Sequence, residues 1–169
     1  MSAVRIREAG VGDRRAIHDV TLAAYEEYAA RMPPALWRGY RQNIVATLAA
    51  PAPALQLVAE DPGAVVGTVL LYPAGSGGPT ERPWPEVRLL AVAPPARGRG
   101  VGAALMRECI GRTRAAGAGA LSLHTTDLMQ VAKAMYERMG FVRAPGLDFE
   151  PAPGILIQGF RLRLAPDVH

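Results

Sequence analysis

The chain has 169 residues, half of them hydrophobic and a fifth charged, with a formal net charge of +4. That balance suits one globular domain with a sizeable core. Its basic residues are scattered from Arg5 to Arg163, with no run interleaved with aromatics, which argues against a nucleic-acid partner. The single cysteine, Cys109, excludes an internal disulfide and any Cys/His metal spacing, so no metal is expected. A reducing, cytoplasmic setting fits. The first residues lack the apolar core of a signal peptide, and no apolar stretch reaches membrane-spanning length, so no membrane partner is expected.

In chain order, residues 4–8 alternate apolar and charged and predict a strand. Asp13 is placed to cap a helix carrying Ile17, Val20, Thr21, Ala24 and Tyr28 at helical spacing. Pro33-Pro34 breaks it. A second helix follows with Leu36, Tyr40, Ile44 and Leu48 on one face, ended by Pro51 and Pro53. Residues 55–59 and 65–72 are β-rich runs joined by Asp61-Pro62-Gly63, which predicts a hairpin. Residues 73–85 form a long Gly/Pro loop (Gly75, Gly77, Gly78, Pro79, Pro83, Pro85) that holds Trp84. The run 87–92 is almost wholly apolar and predicts a strand buried on both faces.

Pro94-Pro95 stops that strand, and Arg97-Gly98-Arg99-Gly100-Val101-Gly102 opens a helix of residues 100–116. A glycine-rich turn at a helix start exposes backbone N–H groups at the positive end of the helix dipole, which suits phosphate oxygens. Arg97 and Arg99 add charge that can pair with a diphosphate. The spacing fits neither the dinucleotide fingerprint nor a Walker loop. A strand at 121–125, a helix at 130–139 stopped by Gly140, and strands at 141–143 and 155–164 complete the chain. The order β-α-α-β-β-β-α-β-α-β-β is that of a mixed α/β domain.

Two segments carry a family resemblance. The first is Glu86-Val87-Arg88-Leu89-Leu90-Ala91-Val92 with the Arg97–Gly102 loop, which is similar to the Gln/Arg-x-x-Gly-x-Gly/Ala acetyl-CoA motif of the GNAT superfamily of N-acetyltransferases. The second, Ala132-Lys133-Ala134-Met135-Tyr136-Glu137-Arg138-Met139-Gly140-Phe141, resembles that superfamily's Ala-x-x-x-Tyr-x-x-x-Gly-Phe helix and strand. The resemblance implies one domain over residues 1–169, with about seven strands in a mixed central sheet and about four flanking helices. It also implies an acetyl-CoA-dependent N-acetyltransferase that moves an acetyl group to a primary amine in a ternary complex.

By that resemblance, Glu86 is the general base and Tyr136 the general acid that protonates the leaving thiolate. The backbone of Leu90 and Val92 would take the pantetheine arm. Arg97, Gly98, Arg99, Gly100, Val101, Gly102 and Ala103 would hold the pyrophosphate. Tyr28, Trp37 and Trp84 are candidates to line the acceptor pocket, the acceptor being a small-molecule or peptide amine. A homodimer through the terminal strands is a further family expectation. Met129 stands where many members carry an Asn three residues before the motif's Ala. His124 reads as a structural histidine and Cys109 as a small core residue. The alternatives are a non-catalytic acyl-CoA-binding domain of the same fold and, more distantly, a nucleotide-binding module using the Arg/Gly loop for another diphosphate.

Overall fold

The computed structural model describes residues 4–76, 83–153 and 155–164. Gly77, Gly78 and Pro79 of the long loop lie outside them. Among these residues, eight strands and four α-helices are formed: β1 Arg5–Glu8, α1 Arg14–Tyr25, α2 Pro34–Ala49, β2 Leu55–Asp61, β3 Ala64–Tyr72, β4 Glu86–Val92, α3 Val101–Ala115, β5 Ala120–Thr125, α4 Gln130–Arg138, β6 Val142–Arg143, β7 Phe149–Ala152 and β8 Ile155–Arg163. Hydrogen bonding orders the strands β1-β2-β3-β4-β5-β8-β6, with β7 on β8 off this path. The chain forms two compact units, one of residues Met1–Leu71 with Leu89–Glu108, the other of Tyr72–Arg88 with Cys109–His169.

In the first unit β1, β2 and β3 are antiparallel. The predicted hairpin closes through Pro62 and Gly63, with Asp61 opposite Ala64 and Gly63 at φ +81°. Leu57, Val58 and Ala59 are all buried, so both faces of β2 are covered. The α1 stripe Ile17, Val20, Thr21 and Ala24 is buried as its spacing predicts. Tyr28 falls beyond α1, in the 3-10 turn Glu26–Arg31. Asp13 does occupy the N-cap position of α1, but its side chain makes no cap bond there. Arg7 draws the carboxylate back toward β1 at 2.7 Å, and the Gly10 N–H donates to it at 2.7 Å.

Gly67 marks the closest approach in this unit. A Cβ built there would lie 2.8 Å from Val101 Cγ1, 3.0 Å from Leu105 Cδ1 and 3.2 Å from the Ala91 carbonyl oxygen. The start of α3 therefore packs directly on the β3 backbone.

In the second unit β5 and β8 pair antiparallel over six residues each, from Ala120↔Arg163 to Thr125↔Gln158. β4 joins β5 in parallel through Glu86↔Ser122 and Val87↔Leu123. The inward side chains include Val87, Leu121, Leu123, Phe141 and Phe160. Between β6 and β8 the sequence predicts only a loop; it contains β7, which pairs with β8 through Phe149↔Ile157 and Ala152↔Ile155. The predicted burial of β4 on both faces also needs correction. Val87 and Ala91 are buried, but Leu89, Leu90 and Val92 are only partly covered.

Gly67→Val should lower stability by about 1–3 kcal/mol, because backbone as well as side chains would have to move. Gly111→Ala, on an exposed helical position where a Cβ meets nothing within 4 Å, should raise it by about 0.5–1 kcal/mol. Denaturant unfolding of the two variants checks both signs.

Candidate functional site

In the first unit, Gly98 and Gly100 both adopt φ +77°. A Cβ at either position would meet nothing within 4 Å, so backbone conformation rather than crowding selects glycine. The left-handed turns lead into α3, whose first bond runs from Ala104 N–H to the Gly100 carbonyl at 3.0 Å. The N–H groups of Val101, Gly102 and Ala103 precede any intrahelical partner. Arg97 pairs with Glu27, and Arg99 donates to Asp61 at 2.8 Å. Both predicted diphosphate ligands thus start from carboxylate partners that lie far from them in sequence.

Leu90 and Val92 lie in the same unit. Ala93 N–H donates to the Val66 carbonyl of β3 at 2.8 Å. Successive peptide groups of a strand face opposite edges, so the Val92 N–H points away from β3, and so does that of Leu90. Leu89, just before them, sits at φ +52°, rare for a non-glycine residue. The Tyr25 hydroxyl donates to the Leu90 carbonyl at 3.1 Å. Tyr25 is itself buried, at the last position of α1.

Tyr25 also centres an aromatic group. Its ring lies 6.1 Å from those of Tyr28 and Tyr40, and Trp37 lies 6.3 Å from Tyr40. Tyr28 and Trp37, both acceptor-pocket candidates, are therefore linked through one cluster. Burial pushes the Tyr40 phenol up to about 12 and raises that of Tyr28, which Arg97 partly offsets. Trp84 belongs to the second unit, where the Arg161 guanidinium lies 5.1 Å from its ring centre.

The second unit holds Glu86 and Tyr136. The register Glu86↔Ser122↔Arg161 puts these three side chains on one face, and Arg88 and His124, two residues on in their strands, share it. Glu86 is 5% exposed. Its Oε2 accepts from Arg88 at 3.0 Å and its Oε1 lies 2.6 Å from His124 Nδ1. Arg88 in turn lies over the Tyr72 ring at 4.8 Å. His124 Nε2 is 2.9 Å from the Leu147 carbonyl oxygen, and Phe149 meets the imidazole edge-on. His124 is thus part of the Glu86 cluster, a partnership set by strand register and invisible in sequence spacing.

Tyr136 is buried on α4. Gly140, at φ +99°, reverses the chain so that Phe141 N–H donates to the Tyr136 carbonyl at 3.0 Å and the two rings meet edge-on at 5.9 Å. The Tyr-x-x-x-Gly-Phe spacing is therefore a local packing unit. Met129 takes the N-cap position of α4 without a side-chain bond. The turn before it is held instead by the Thr126 hydroxyl, which accepts from Leu128 N–H at 3.2 Å, and by the Asp127 carbonyl, which accepts from Gln130. Among the described residues, no cluster of three or more His, Cys, Asp or Glu side chains could hold a metal ion. No helix among them is long and apolar enough to cross a membrane.

The profile of the acetyltransferase (GNAT) family matches residues 15–141. The chain belongs to the GNAT family. No curated protein sequence matches it. Among solved structures, a GNAT family acetyltransferase from Brucella melitensis in complex with acetyl-CoA is 29% identical. That match covers 98% of this chain and 91% of the other, with a TM-score of 0.64. The GCN5-related N-acetyltransferase from Rhodopseudomonas palustris is 22% identical over 97% of this chain and 98% of its own, with a TM-score of 0.74. The protein yncA of Salmonella typhimurium, with its cofactor acetyl-CoA, is 19% identical over 99% and 98%, with a TM-score of 0.65. The last two share the fold.

In this GNAT chain the loop facing His124 is clamped by charge. Asp148 accepts from Arg143 at 2.6 and 2.8 Å and from Gly159 N–H at 2.7 Å. The Arg143 bonds chiefly, with the Gly159 N–H, hold the Asp148 carboxyl down at about 2. A carboxylate held below its ordinary value stabilises the fold above that value, and the contribution fades as pH falls toward the lowered one. Thermal melts should therefore show stability falling between about pH 4 and pH 2. In Arg143→Gln that fall should be shallower; an unchanged slope would show that the clamp does not contribute.

Proposed function

We propose that residues 1–169 form one acyltransferase domain that transfers an acetyl group from acetyl-CoA to a primary amine by direct attack in a ternary complex. The observation that carries this is the turn at Gly98 and Gly100. Two left-handed glycines with open space where side chains would stand lead into a helix N-terminus, with Arg97 and Arg99 alongside. That construction suits a diphosphate. The Brucella melitensis relative in complex with acetyl-CoA supports the choice of coenzyme A.

Acetyl-CoA would supply the acyl group as an activated thioester. The N–H groups of Gly98 to Ala103, with both arginines, would bind its pyrophosphate. The Leu90 and Val92 backbone would take the pantetheine arm, and the Leu90 N–H would polarise the thioester carbonyl. An amine of ordinary pKa near 10.4 costs about 4–5 kcal/mol to deprotonate at pH 7, so a proton acceptor is valuable. Glu86 takes that role, directly or through water. Tyr136, a phenol protonated at neutral pH, donates to the departing thiolate. Tyr28 and Trp37 in the first unit, and Trp84 in the second, are the residues proposed to contact the acceptor. The acceptor is a small-molecule or peptide amine, the setting cytoplasmic, and the terminal strands offer a route to a homodimer.

Acetyl-CoA and CoA should raise the melting temperature while ATP and NAD do not; the reverse pattern would sink the assignment. A panel of primary amines should then elicit thiol release from acetyl-CoA. Stabilisation without release would favour the binding-only alternative. Tyr136→Phe should lower kcat by about a hundredfold with acetyl-CoA affinity nearly unchanged, and wild-type turnover in that variant would refute the acid role.

A further inference from the structure

The Glu86–His124 contact has a proton content that follows from its partners. His124 Nε2 faces the Leu147 carbonyl oxygen at 2.9 Å. A carbonyl only accepts, so Nε2 carries hydrogen and donates. The other ring nitrogen, Nδ1, is 2.6 Å from Glu86 Oε1. With Nε2 protonated, a neutral ring presents a lone pair at Nδ1. Opposing it to an ionised carboxylate at that distance is repulsive. One hydrogen between the two atoms removes the repulsion, whether drawn as imidazolium with carboxylate or neutral imidazole with carboxylic acid. The pair then holds one proton more than a carboxylate and a neutral imidazole would separately.

Backbone packing fixes this arrangement. Gly159 lies opposite His124 in the β5–β8 register. A Cβ at Gly159 would sit 2.4 Å from Leu147 Cβ and 2.9 Å from the Ala144 carbonyl oxygen. Only a bare strand position lets the 3-10 turn Pro145–Leu147 lie down here and aim its last carbonyl at the ring. Arg143, Asp148 and the Gly159 N–H hold the turn in place.

We propose that His124 is a positioning residue for Glu86: pinned by the Leu147 carbonyl, it fixes the carboxylate and shares a proton with it, so Glu86 accepts the amine's proton only after the pair has released that one. This rests on the reading of Glu86 as the base. In the transfer the amine N–H bond breaks, and its proton ends between Glu86 Oε1 and His124 Nδ1. The nitrogen keeps the electron pair that forms the amide. Loss of the proton to solvent resets the pair. The charged groups around the pair are Arg88, bonded to Glu86, and Asp148, close enough for the imidazole's charge to act on it. Tyr72 stacks on Arg88 from β3, Arg143 neutralises Asp148, and Arg161 of β8 shares the face under Trp84.

Nitrogen-15 NMR of the full chain tests the proton directly, with only three histidines to assign. At neutral pH the wild type should show hydrogen on both nitrogens of His124, or one strongly shared proton at Nδ1. In Glu86→Gln the ring should become the neutral tautomer protonated at Nε2. In Gly159→Ala, with Leu147 displaced, Nε2 should lose its fixed proton and the tautomers should mix. An unprotonated Nδ1 in the wild type, or a spectrum indifferent to Glu86→Gln, would overturn the inference. Kinetics add a second arm: His124→Asn keeps a donor to Glu86 without a titrating proton. The ascending limb of its pH–rate profile should move to lower pH, with the rate at a fixed pH on that limb rising about tenfold for every pH unit it moves. An unmoved limb counts against the proposal. Failure of the base reading looks different: Glu86→Gln would retain wild-type turnover while the His124 spectra still changed as described.

Discussion

The backbone of β4 contains one unfavourable residue, on which the arrangement of its neighbours depends. Leu89 is held at φ +52° inside a strand, a conformation that costs an L-residue roughly 1–2 kcal/mol. On one side of it, Glu86 and Val87 are in register with β5, and the Glu86 carboxylate anchors the polar face of the second unit. On the other, the peptide groups of Leu90 and Val92 turn to the edge away from β3. A regular strand would continue one side-chain alternation throughout. The left-handed residue breaks that alternation between Arg88 and Leu90. The Tyr25 hydroxyl on the Leu90 carbonyl helps to hold that break in place.

Elements whose cause is local are legible in the amino-acid sequence. Asp61-Pro62-Gly63 needs only its own turn chemistry, and the hairpin forms as expected. Gly98 and Gly100 signal a turn into a helix, and the turn forms, with both at φ +77°. Gly140 ends α4 and turns Phe141 onto Tyr136. Contacts set by register or by long closures are not legible in this way. Strand β7 is four residues with a proline among them and exists only as a partner of β8, so its sequence looks like loop. His124 and Glu86 are 38 positions apart, and nothing in either segment announces the other. Asp13 shows the limit even of local reasoning: a residue with the right identity for a cap gives its carboxylate to Arg7, a stronger partner than a backbone amide.

Glycine does two different jobs in this fold. At Gly98 and Gly100 it supplies a torsion angle, with empty space around it. At Gly67 and Gly159 it supplies the absence of a side chain, letting α3 and the Pro145–Leu147 turn rest on strand backbone. The first kind shapes a surface that a ligand can approach. The second fixes, at long sequence separation, which groups meet inside each unit.

The Arg97–Glu27 and Arg99–Asp61 pairs have a thermodynamic consequence. An anion that takes these guanidinium groups does not meet bare cations; it exchanges with carboxylates already there. Such binding replaces existing ion pairs with new ones, so added electrolyte weakens both sides of the equilibrium together. Retention of a diphosphate should then be less sensitive to ionic strength than two arginines suggest, and selectivity should rest more on the shape of the backbone turn than on charge.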